Sequence, residues 1–268
     1  MDEFKQISSL QNPLVKKVLV LKEKSRERKK TGLFVLEGQR ELRLALKGGF
    51  EISTVFFYED IILRDEMLQM FAEASAPEFI SVSKEVYQKM AYRDTTEGIV
   101  AIARSKSHTL DDLKLSTKNP LILVAEAPEK PGNIGALLRS ADAANLDAVI
   151  IANPKGDLYN PNIIRSSVGC VFTNTIATAT SEEVIHFMKT NAIKMYCAAL
   201  TASKNYLETD FKGATAIVVG TEATGLSTDW LDTSTQNIII PMQGEIDSMN
   251  VSVSAAILIF EAKRQRSL

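Results

Sequence analysis

The amino-acid sequence predicts an α/β protein of two domains. Helix-like and strand-like patterns alternate along most of the chain. The strand-like runs of the second half, such as residues 121–125, are continuously apolar, which is typical of parallel strands covered by helices on both faces. Between the halves, residues 106–119 are polar and mostly lack apolar periodicity, so we expect a linker there.

Composition narrows the class of protein further. The chain has 268 residues, of which 45% are hydrophobic and 24% charged, which excludes disordered and fibrous classes. With two cysteines and two histidines, we expect neither a disulfide framework nor a metal site. The first residues lack the features of a secretory signal, and the longest nearly apolar stretch, residues 251–260, is too short to span a bilayer. We therefore expect a cytoplasmic protein without a membrane segment.

The net charge of −2 argues against a nucleic-acid partner, but the distribution of charge does not. Residues 14–30 are rich in cations, with only Glu23 and Glu27 opposing them. The cations are Lys16, Lys17, Lys22, Lys24, Arg26, Arg28, Lys29 and Lys30. Such a run is either the electrostatic footprint of a nucleic-acid partner or the solvated face of a helix, and both interpretations stay open at this point.

The first domain, residues 1–105, opens with an amphipathic helix. Asn12 and Pro13 have the pattern of a helix cap followed by the first helical residue, and Gly32 ends the helix. The following pattern predicts strands at 33–36, 52–58, 79–82 and 98–103, and helices at 39–47, 64–74 and 84–91.

The second domain, residues 120–268, contains the candidate site. Predicted strands are 121–125, 148–152, 194–200, 214–220 and 237–241, with helices between them that include 133–145 and 250–265. Polar segments follow three of these strands, at the end where open α/β sheets place ligands. The first contains Asn133, expected to cap its helix, and Arg139; the second is the turn 220–227; the third is the loop 240–254. The turn lacks the lysine of a P-loop, because Leu226 stands in its place, which argues against an NTPase.

These three segments, in this order and spacing, resemble the motifs of the SpoU (TrmH) branch of the SPOUT RNA methyltransferases. The last helix is similar too, through the run NVSVSAAIL at 250–258. The first domain, with its basic helix and FVLEG at 34–38, resembles the L30e-like RNA-binding domain of many rRNA-directed members. The resemblance implies a trefoil-knotted parallel-sheet (SPOUT) domain preceded by a small α/β/α L30e-like domain.

The resemblance also implies an activity: transfer of a methyl group from S-adenosylmethionine to a ribose 2′-hydroxyl of structured RNA, with 23S-type rRNA as substrate and a homodimer as the working form. A tRNA 2′-O-methyltransferase and an RNA-binding member without catalysis are the alternatives. Carried over by position, the catalytic residues are Asn133, Arg139, Glu222, Ser248 and Asn250. The cofactor-binding residues are Leu200, Thr201, Gly220, Ile240 and Met249. With the basic helix included, the candidates for RNA contact are Lys24, Arg26, Arg28, Lys29 and Arg165.

Physical chemistry limits the roles of these residues. An arginine keeps its proton in a protein, so we expect Arg139 to orient and polarise the hydroxyl and the adjacent phosphate, while the proton acceptor stays open. Glu222 would hold Arg139 or the motif loops. Gly220 is expected to let the cofactor approach because it has no Cβ. The second motif of the family usually begins Asn-Glu-Gly, whereas this chain has Thr221 at its first position, which leaves the hydrogen bonds of that loop open.

Overall fold

The computed structural model describes residues 4–92, 97–200, 203–221 and 223–267. Its contacts divide the chain into two compact units. The first unit contains the residues up to 106 together with 157–173, and the second contains 107–156 and the residues from 174 onward.

The N-terminal part of the chain forms a five-stranded sheet with helices around it. Its elements are β1 (Lys5–Ile7), α1 (Pro13–Glu23), α2 (Ser25–Thr31), β2 (Leu33–Glu37), α3 (Gln39–Lys47), β3 (Ile52–Phe57), α4 (Arg64–Gln69), β4 (Glu78–Val82), α5 (Lys84–Met90) and β5 (Ile99–Arg104). The strand order is β1-β4-β3-β5-β2, and β5 is antiparallel to both of its neighbours. The strands β2, β3, β4 and β5 bury Val35, Phe56, Ile80 and Val100 in one core with the helices.

The basic segment is two helices and not the single helix that the sequence predicts. The break lies at Lys24, whose backbone is extended between α1 and α2. Arg28 explains the break, because its Nη1 donates to the carbonyl oxygens of Leu21 and Lys22 at 2.6 and 3.0 Å. These carbonyls lie in the last turn of α1, where they lack helical partners and favour a cation. Arg28 therefore caps α1 from within the next helix.

The remaining chain forms a seven-stranded sheet in which every strand pair is parallel. Its elements are β6 (Leu121–Glu126), α6 (Pro131–Ala143), β7 (Ala148–Ala152), α7 (Pro161–Ser166), β8 (Ile176–Ala179), α8 (Ser181–Thr190), β9 (Lys194–Ala198), β10 (Lys204–Asn205), β11 (Thr215–Val219), α9 (Thr228–Thr233), β12 (Gln236–Ile239) and α10 (Val251–Arg266). The strand order is β10-β12-β9-β11-β6-β7-β8. The predicted fold class, a parallel-sheet α/β domain after a small α/β domain, is confirmed.

The segment predicted to be a linker is packed on the second unit from residue 107 onward. A short 3-10 turn at Leu110–Asp112 is capped by Thr109, and Leu110, Leu113 and Leu115 contact the core of the parallel sheet. The carbonyl oxygen of His108 accepts a hydrogen bond from the Thr178 backbone N–H at 2.6 Å. The sequence did not predict these contacts because only every second or third residue of this stretch is apolar.

Residues 157–173, which include α7, belong to the first unit although the sequence pattern assigns them to the second domain. Four aromatic rings, those of Phe34, Phe50, Tyr159 and Phe172, form one cluster in this unit. The ring centroids of Phe34 and Tyr159 are 4.3 Å apart in a stacked arrangement. Burial raises the pKa of Tyr159 to about 12. This segment completes the apolar core of the first unit.

Some element boundaries differ from the predictions. The helix predicted at 64–74 ends at Gln69, and residues 70–74 continue as hydrogen-bonded turns. The helix predicted from Asn133 begins at Pro131, whose fixed φ suits the first helical position. The strands β1, β8 and β10 were not predicted, because they have only three, four and two residues. Among the described residues, no helix is long and apolar enough to cross a membrane.

Candidate active site

Four loops meet at one edge of the parallel sheet, and three of them carry the motifs. The strands β12, β9, β11 and β6 are neighbours, so the loops after their carboxyl ends lie side by side. The register places Leu200, Gly220 and Ile240 within one residue of the same level, each just beyond its strand. Leu200 is 58% exposed, which is unusual for a leucine, and Ile240 is half-buried. The edge thus presents apolar side chains beside the ends of the strands.

The first motif and the third are joined by a hydrogen bond. Asn250 Nδ2 donates to Asn133 Oδ1 at 3.2 Å. Asn250 also caps α10, since its Oδ1 accepts from the Ser252 N–H at 3.0 Å and from the Ser252 hydroxyl at 2.6 Å. The prediction that Asn133 caps α6 is wrong, because Lys130 occupies the cap position and Asn133 is the third helical residue. Asn133 contributes its side chain to the pair instead.

Arg139 lies on α6, six residues after Asn133. At 1.5 Å and 100° per residue, this spacing separates the two side chains by about 9 Å along the axis and about 120° around it. Arg139 is exposed, and no hydrogen bond or ion pair joins its guanidinium to another residue that the structure describes. Among the described residues of one chain, therefore, no hydrogen bond links Arg139 to the Asn133–Asn250 pair.

The second motif is a tight turn that is closed by its own backbone. Thr221 and Gly225 exchange two backbone hydrogen bonds of 3.1 Å each. The Thr221 hydroxyl accepts from the Thr224 N–H at 3.0 Å, which is the local bond that a short polar side chain makes in a turn. Threonine at the first position of this motif thus supports the turn directly. Glu222 lies outside the described residues.

Gly220 is required by the fold of the turn itself. A Cβ at this position would lie 2.2–2.4 Å from the backbone of Gly225 and Leu226. These atoms belong to the turn itself, so the missing side chain lets the turn fold back over the strand end. This close approach is made by the protein itself, and the predicted approach of the cofactor to Gly220 stays a prediction.

A buried carboxylate, which the sequence reasoning missed, ties the turn to the sheet. Glu126 ends β6 and is only 6% exposed. It accepts hydrogen bonds from Ser227 N at 2.8 Å, Ser227 Oγ at 2.7 Å and Ser181 Oγ at 3.1 Å. Ser181 Oγ in turn accepts from Trp230 Nε1 at 3.0 Å. The signal in the sequence was a glutamate at the end of a continuously apolar strand, since such a carboxylate needs donors where it is buried.

The buried carboxylate of Glu126 also affects the pKa of a cysteine thiol, that of Cys197. Burial, followed by the negative charge of Glu126, raises the pKa of Cys197 to about 12. The thiolate is the nucleophilic form of cysteine, so this residue is held in its unreactive form at neutral pH. Cys197 lies on β9 and its Sγ donates to the Trp230 carbonyl oxygen at 3.5 Å.

Comparison with known proteins identifies the family. The SpoU rRNA Methylase family matches residues 120–260, and the MRM3-like substrate binding domain matches residues 12–101. The chain belongs to the SpoU rRNA methylase family. The predicted resemblance is thereby confirmed, and so is the enzyme class, an RNA methyltransferase.

Two named relatives of this SpoU methylase cover three quarters or more of its length. It is 29% identical to the 23S rRNA (guanosine(2553)-2′-O)-methyltransferase RlmP of Bacillus subtilis, over 97% of this chain and 100% of the relative. It is 32% identical to the 23S rRNA (guanosine-2′-O-)-methyltransferase RlmB of Ralstonia nicotianae, over 76% and 85% of the two chains.

Two solved structures share the whole fold of this SpoU methylase. A crystal structure of an RNA 2′-O ribose methyltransferase is 39% identical, with a TM-score of 0.84, and the match covers 98% of this chain and 100% of that one. The AdoMet-bound rRNA methyltransferase of Sinorhizobium meliloti is 26% identical, with a TM-score of 0.89 over 97% and 98% of the chains. The bound AdoMet of the second structure agrees with the predicted methyl donor.

The remaining site residues of the SpoU methylase lie on its third loop or outside the described part. Ser248 is exposed and donates to Asp247 Oδ1 at 3.2 Å, and Met249 is half-buried. Thr201, like Glu222, lies outside the described residues. The structure thus joins Asn133 to Asn250 by a hydrogen bond, and among the described residues no such bond links Arg139 or Ser248 to this pair. Within the described ranges, no group of three His, Cys, Asp or Glu side chains could hold a metal ion.

The residues predicted to contact RNA divide into exposed and buried ones. Lys24, Arg26 and Lys29 are exposed. Arg28 is only 5% exposed, and it forms a two-pronged salt bridge with Asp157 at 3.0 and 2.8 Å besides capping α1. Arg28 is therefore a structural residue, because its guanidinium is occupied and shielded. Arg165, on α7, stacks its guanidinium on the Tyr92 ring, 4.2 Å from the ring centroid.

Proposed function

We propose that this SpoU methylase transfers a methyl group from S-adenosylmethionine to a ribose 2′-hydroxyl of RNA, with 23S-type rRNA as its substrate. The observation that carries the proposal is the convergence of three motif loops at one edge of the sheet, with Asn133 bonded to Asn250 across two of them. The names of the Bacillus subtilis and Ralstonia nicotianae relatives support both the reaction and the RNA.

The residues at the sheet edge fit S-adenosylmethionine. Exposed or half-buried apolar side chains suit the adenosine, and backbone groups beyond the strand ends supply donors and acceptors. The residues that would hold the cofactor are Leu200, Thr201, Gly220, Ile240 and Met249. When bound, the cofactor supplies an electrophilic methyl group on a sulfonium. The turn closed by Gly220 and anchored on Glu126 would give this pocket a fixed wall.

Methyl transfer to the acceptor hydroxyl requires alignment of the hydroxyl with the methyl donor more than it requires a strong acid or base. Holding two reactants in line replaces a bimolecular encounter and accounts for a large part of the barrier reduction. Arg139 keeps its proton and would hold the ribose hydroxyl and the adjacent phosphate with its planar fork. Ser248 and Asn250 would line the acceptor side, and Glu222 would hold Arg139 or the motif loops.

The geometry of α6 favours a site shared between two copies of the chain, as in the homodimer of the family. Arg139 points about 120° away from Asn133, so a partner's Asn133–Asn250 pair is a better companion for it than its own. An apolar stripe on α10 supplies a surface for such a pairing. Val253 and Phe260 are 47% and 51% exposed, and Ile257 lies between them on the same face.

Three further features belong to the proposal. Lys24, Arg26 and Lys29 would contact RNA phosphates, because they are exposed on the basic helices. The chain of the second domain would form the trefoil knot of the family, which is supported by family membership and by the return of the chain from β8 at one sheet edge to β9 on the other side of β11. The enzyme would act in the cytoplasm, where its rRNA substrate is located.

Mapping of ribose methylation across total RNA tests the proposal. RNA from cells that lack the protein should gain one 2′-O-methylated rRNA position when the wild-type gene is restored, and Asn250→Ala should fail to restore it. The exposed Glu129, which lies outside the motif contacts, provides a control as Glu129→Gln. Methylation gained only in tRNA would favour the alternative substrate, and no gain in any RNA would contradict the enzyme.

A further inference from the structure

A cavity of about 280 Å³ lies in the first unit, beside the end of β2 and the start of α3. Its walls include side chains from α1, α3 and α7, together with Tyr92 and Glu97. The volume is at the lower end of ligand pockets, so a single small planar group fills it better than an extended ligand. None of the residues of the methyl-transfer site lines this cavity.

One carboxylate oxygen of Glu37, a residue of the cavity wall, has no donor among the described residues. Glu37 Oε2 accepts a hydrogen bond from the Tyr92 backbone N–H at 2.7 Å. Glu37 Oε1 is buried, and no described residue donates to it. Buried acceptors of this kind are rare because they lose their hydration without compensation. A ligand with an N–H donor would remove this deficit.

A flat cationic platform lies beside that oxygen. The Tyr92 side chain is 54% exposed, and the Arg165 guanidinium stacks on its ring at 4.2 Å from the centroid. Arg165 Nη2 donates to Asn162 Oδ1 at 3.1 Å, which fixes the plane of the guanidinium. Aromatic rings and arginine planes are the surfaces on which proteins stack unpaired RNA bases.

The charges around the cavity balance. The lining cations are Lys22, Arg40 and Arg165, and the lining carboxylates are Glu37, Glu41 and Glu97. Burial lowers the pKa of Lys22, although the charge of Glu37 opposes this shift. Glu97 Oε2 already accepts the backbone N–H groups of Gln39 and Arg40 at the start of α3, so this helix end is occupied by a carboxylate. A neutral ligand matches this balance better than a phosphate does.

We propose that this cavity binds a guanine base that is extruded from the RNA substrate. The N1–H and N2–H₂ groups of guanine are adjacent donors, and they match a carboxylate with one free oxygen and one partly used oxygen. Uracil offers one N–H between two carbonyl groups, which a carboxylate repels. The ring would stack on the Tyr92–Arg165 platform. The inference rests on the proposed function, because it takes RNA as the substrate, and it assigns base recognition to the first unit.

Binding of short single-stranded RNAs to the full-length protein tests the inference. The probes are oligouridines with guanosine, inosine or uridine at the centre, and inosine differs from guanosine only by lacking the N2 amino group. Loss of a hydrogen bond to a charged group should weaken binding roughly tenfold for inosine relative to guanosine. Equal affinities of the wild-type protein for the three probes would overturn the inference without any variant.

Variants of the protein test whether the preference for guanosine arises in this cavity. Glu37→Gln keeps an acceptor for the Tyr92 N–H but places an amide donor toward the base, so the preference for guanosine should disappear. Glu73→Gln, an exposed residue outside the cavity, should leave the preference intact. Tyr92→Leu should weaken all three probes by roughly tenfold, because stacking is independent of base identity. A guanosine preference that survives Glu37→Gln would overturn the assignment to this cavity.

Methylation of rRNA separates the base cavity from the proposed function. If the wild-type protein methylates rRNA but binds the three probes equally, the base cavity is refuted and the proposed function stands. If it methylates no RNA but prefers guanosine through Glu37, the proposed function is refuted and the cavity stands as a base-binding site.

Discussion

Replacement of Glu126 by alanine should loosen the second motif from the sheet before the rest of the domain unfolds. This carboxylate accepts three hydrogen bonds of 2.7–3.1 Å, two from Ser227 and one from Ser181. The hydroxyl groups of both serines can rotate toward other acceptors after the change. The Ser227 backbone N–H cannot, so it loses its partner at a part-buried position.

The magnitude follows from these hydrogen bonds. A hydrogen bond to a charged group contributes about 1.5–3 kcal/mol, while removal of a buried charge recovers part of its desolvation cost. We therefore expect Glu126→Ala to lower the free energy of unfolding by about 2–3 kcal/mol. Glu126→Gln keeps one acceptor oxygen and should cost about 1 kcal/mol. Affinity for S-adenosylmethionine should fall in the same order, because the turn forms the proposed pocket wall.

The single tryptophan reports on this network directly. Trp230 is fully buried, and its Nε1 donates to the same Ser181 Oγ that contacts Glu126. Urea unfolding followed by tryptophan fluorescence gives the stability, and calorimetry gives the cofactor affinity. The exposed Glu129 serves as the matched control, as Glu129→Gln. An unfolding midpoint and a cofactor affinity for Glu126→Ala equal to those of the control would refute the anchoring role.

Further predictions concern the site and the first unit. Arg139→Ala should reduce the single-turnover rate of methyl transfer far more than it reduces cofactor affinity, and Arg139→Lys should restore little of that rate. Equal rates for the wild type and both variants would remove Arg139 from the mechanism. Joint alanine replacement of the exposed cations should weaken the salt dependence of RNA binding. The slope of log affinity against log salt concentration should fall by roughly 0.7–0.9 for each phosphate that the variant no longer neutralises. An unchanged slope would mean that these cations only face solvent. These cations are Lys24, Arg26 and Lys29. Arg28→Ala should instead lower the free energy of unfolding by about 3–5 kcal/mol, since Asp157 would lose its partner; full stability in urea would contradict this. Gly220→Ala should distort the turn, so that cofactor affinity and the protease resistance of the turn fall together. Reduced affinity with an intact turn would instead indicate a direct contact between Gly220 and the cofactor. Alkylation of Cys197 should stay slow between pH 7 and 10, because its folded pKa of about 12 lies above its usual value of 9.0; the same shift should lower stability as the pH rises above about 9, and fast native-state labelling at pH 9 would contradict the shift.

Local pattern was sufficient for the parallel sheet and for the three motifs. The apolar run 121–125 predicted a buried strand, and the structure has β6 at Leu121–Glu126 in the middle of the sheet. The family resemblance suggested Asn133 and Asn250 as site residues, and the structure has a hydrogen bond between them. These features depend on residues close in sequence or on motifs with a known arrangement.

The features that were missed depend on contacts between distant parts of the chain. The burial of Arg28 depends on Asp157, which lies 129 positions later. The buried role of Glu126 depends on Ser227, 101 positions away. Periodicity and propensity describe neighbours, so they contain no information about either pairing. For the same reason, the basic run offered no means to separate Arg28 from the exposed cations beside it.

The membership of residues 157–173 in the first unit has a consequence for biosynthesis. A ribosome releases the chain from its N-terminus, so Phe34 and Phe50 emerge well before Tyr159 and Phe172. Until β6, α6 and β7 have been translated, the nascent first unit exposes aromatic surface that only the later segment covers. Folding of this unit is thus completed in the middle of translation of the next one, and a fragment ended at residue 105 would retain an uncovered, aggregation-prone face.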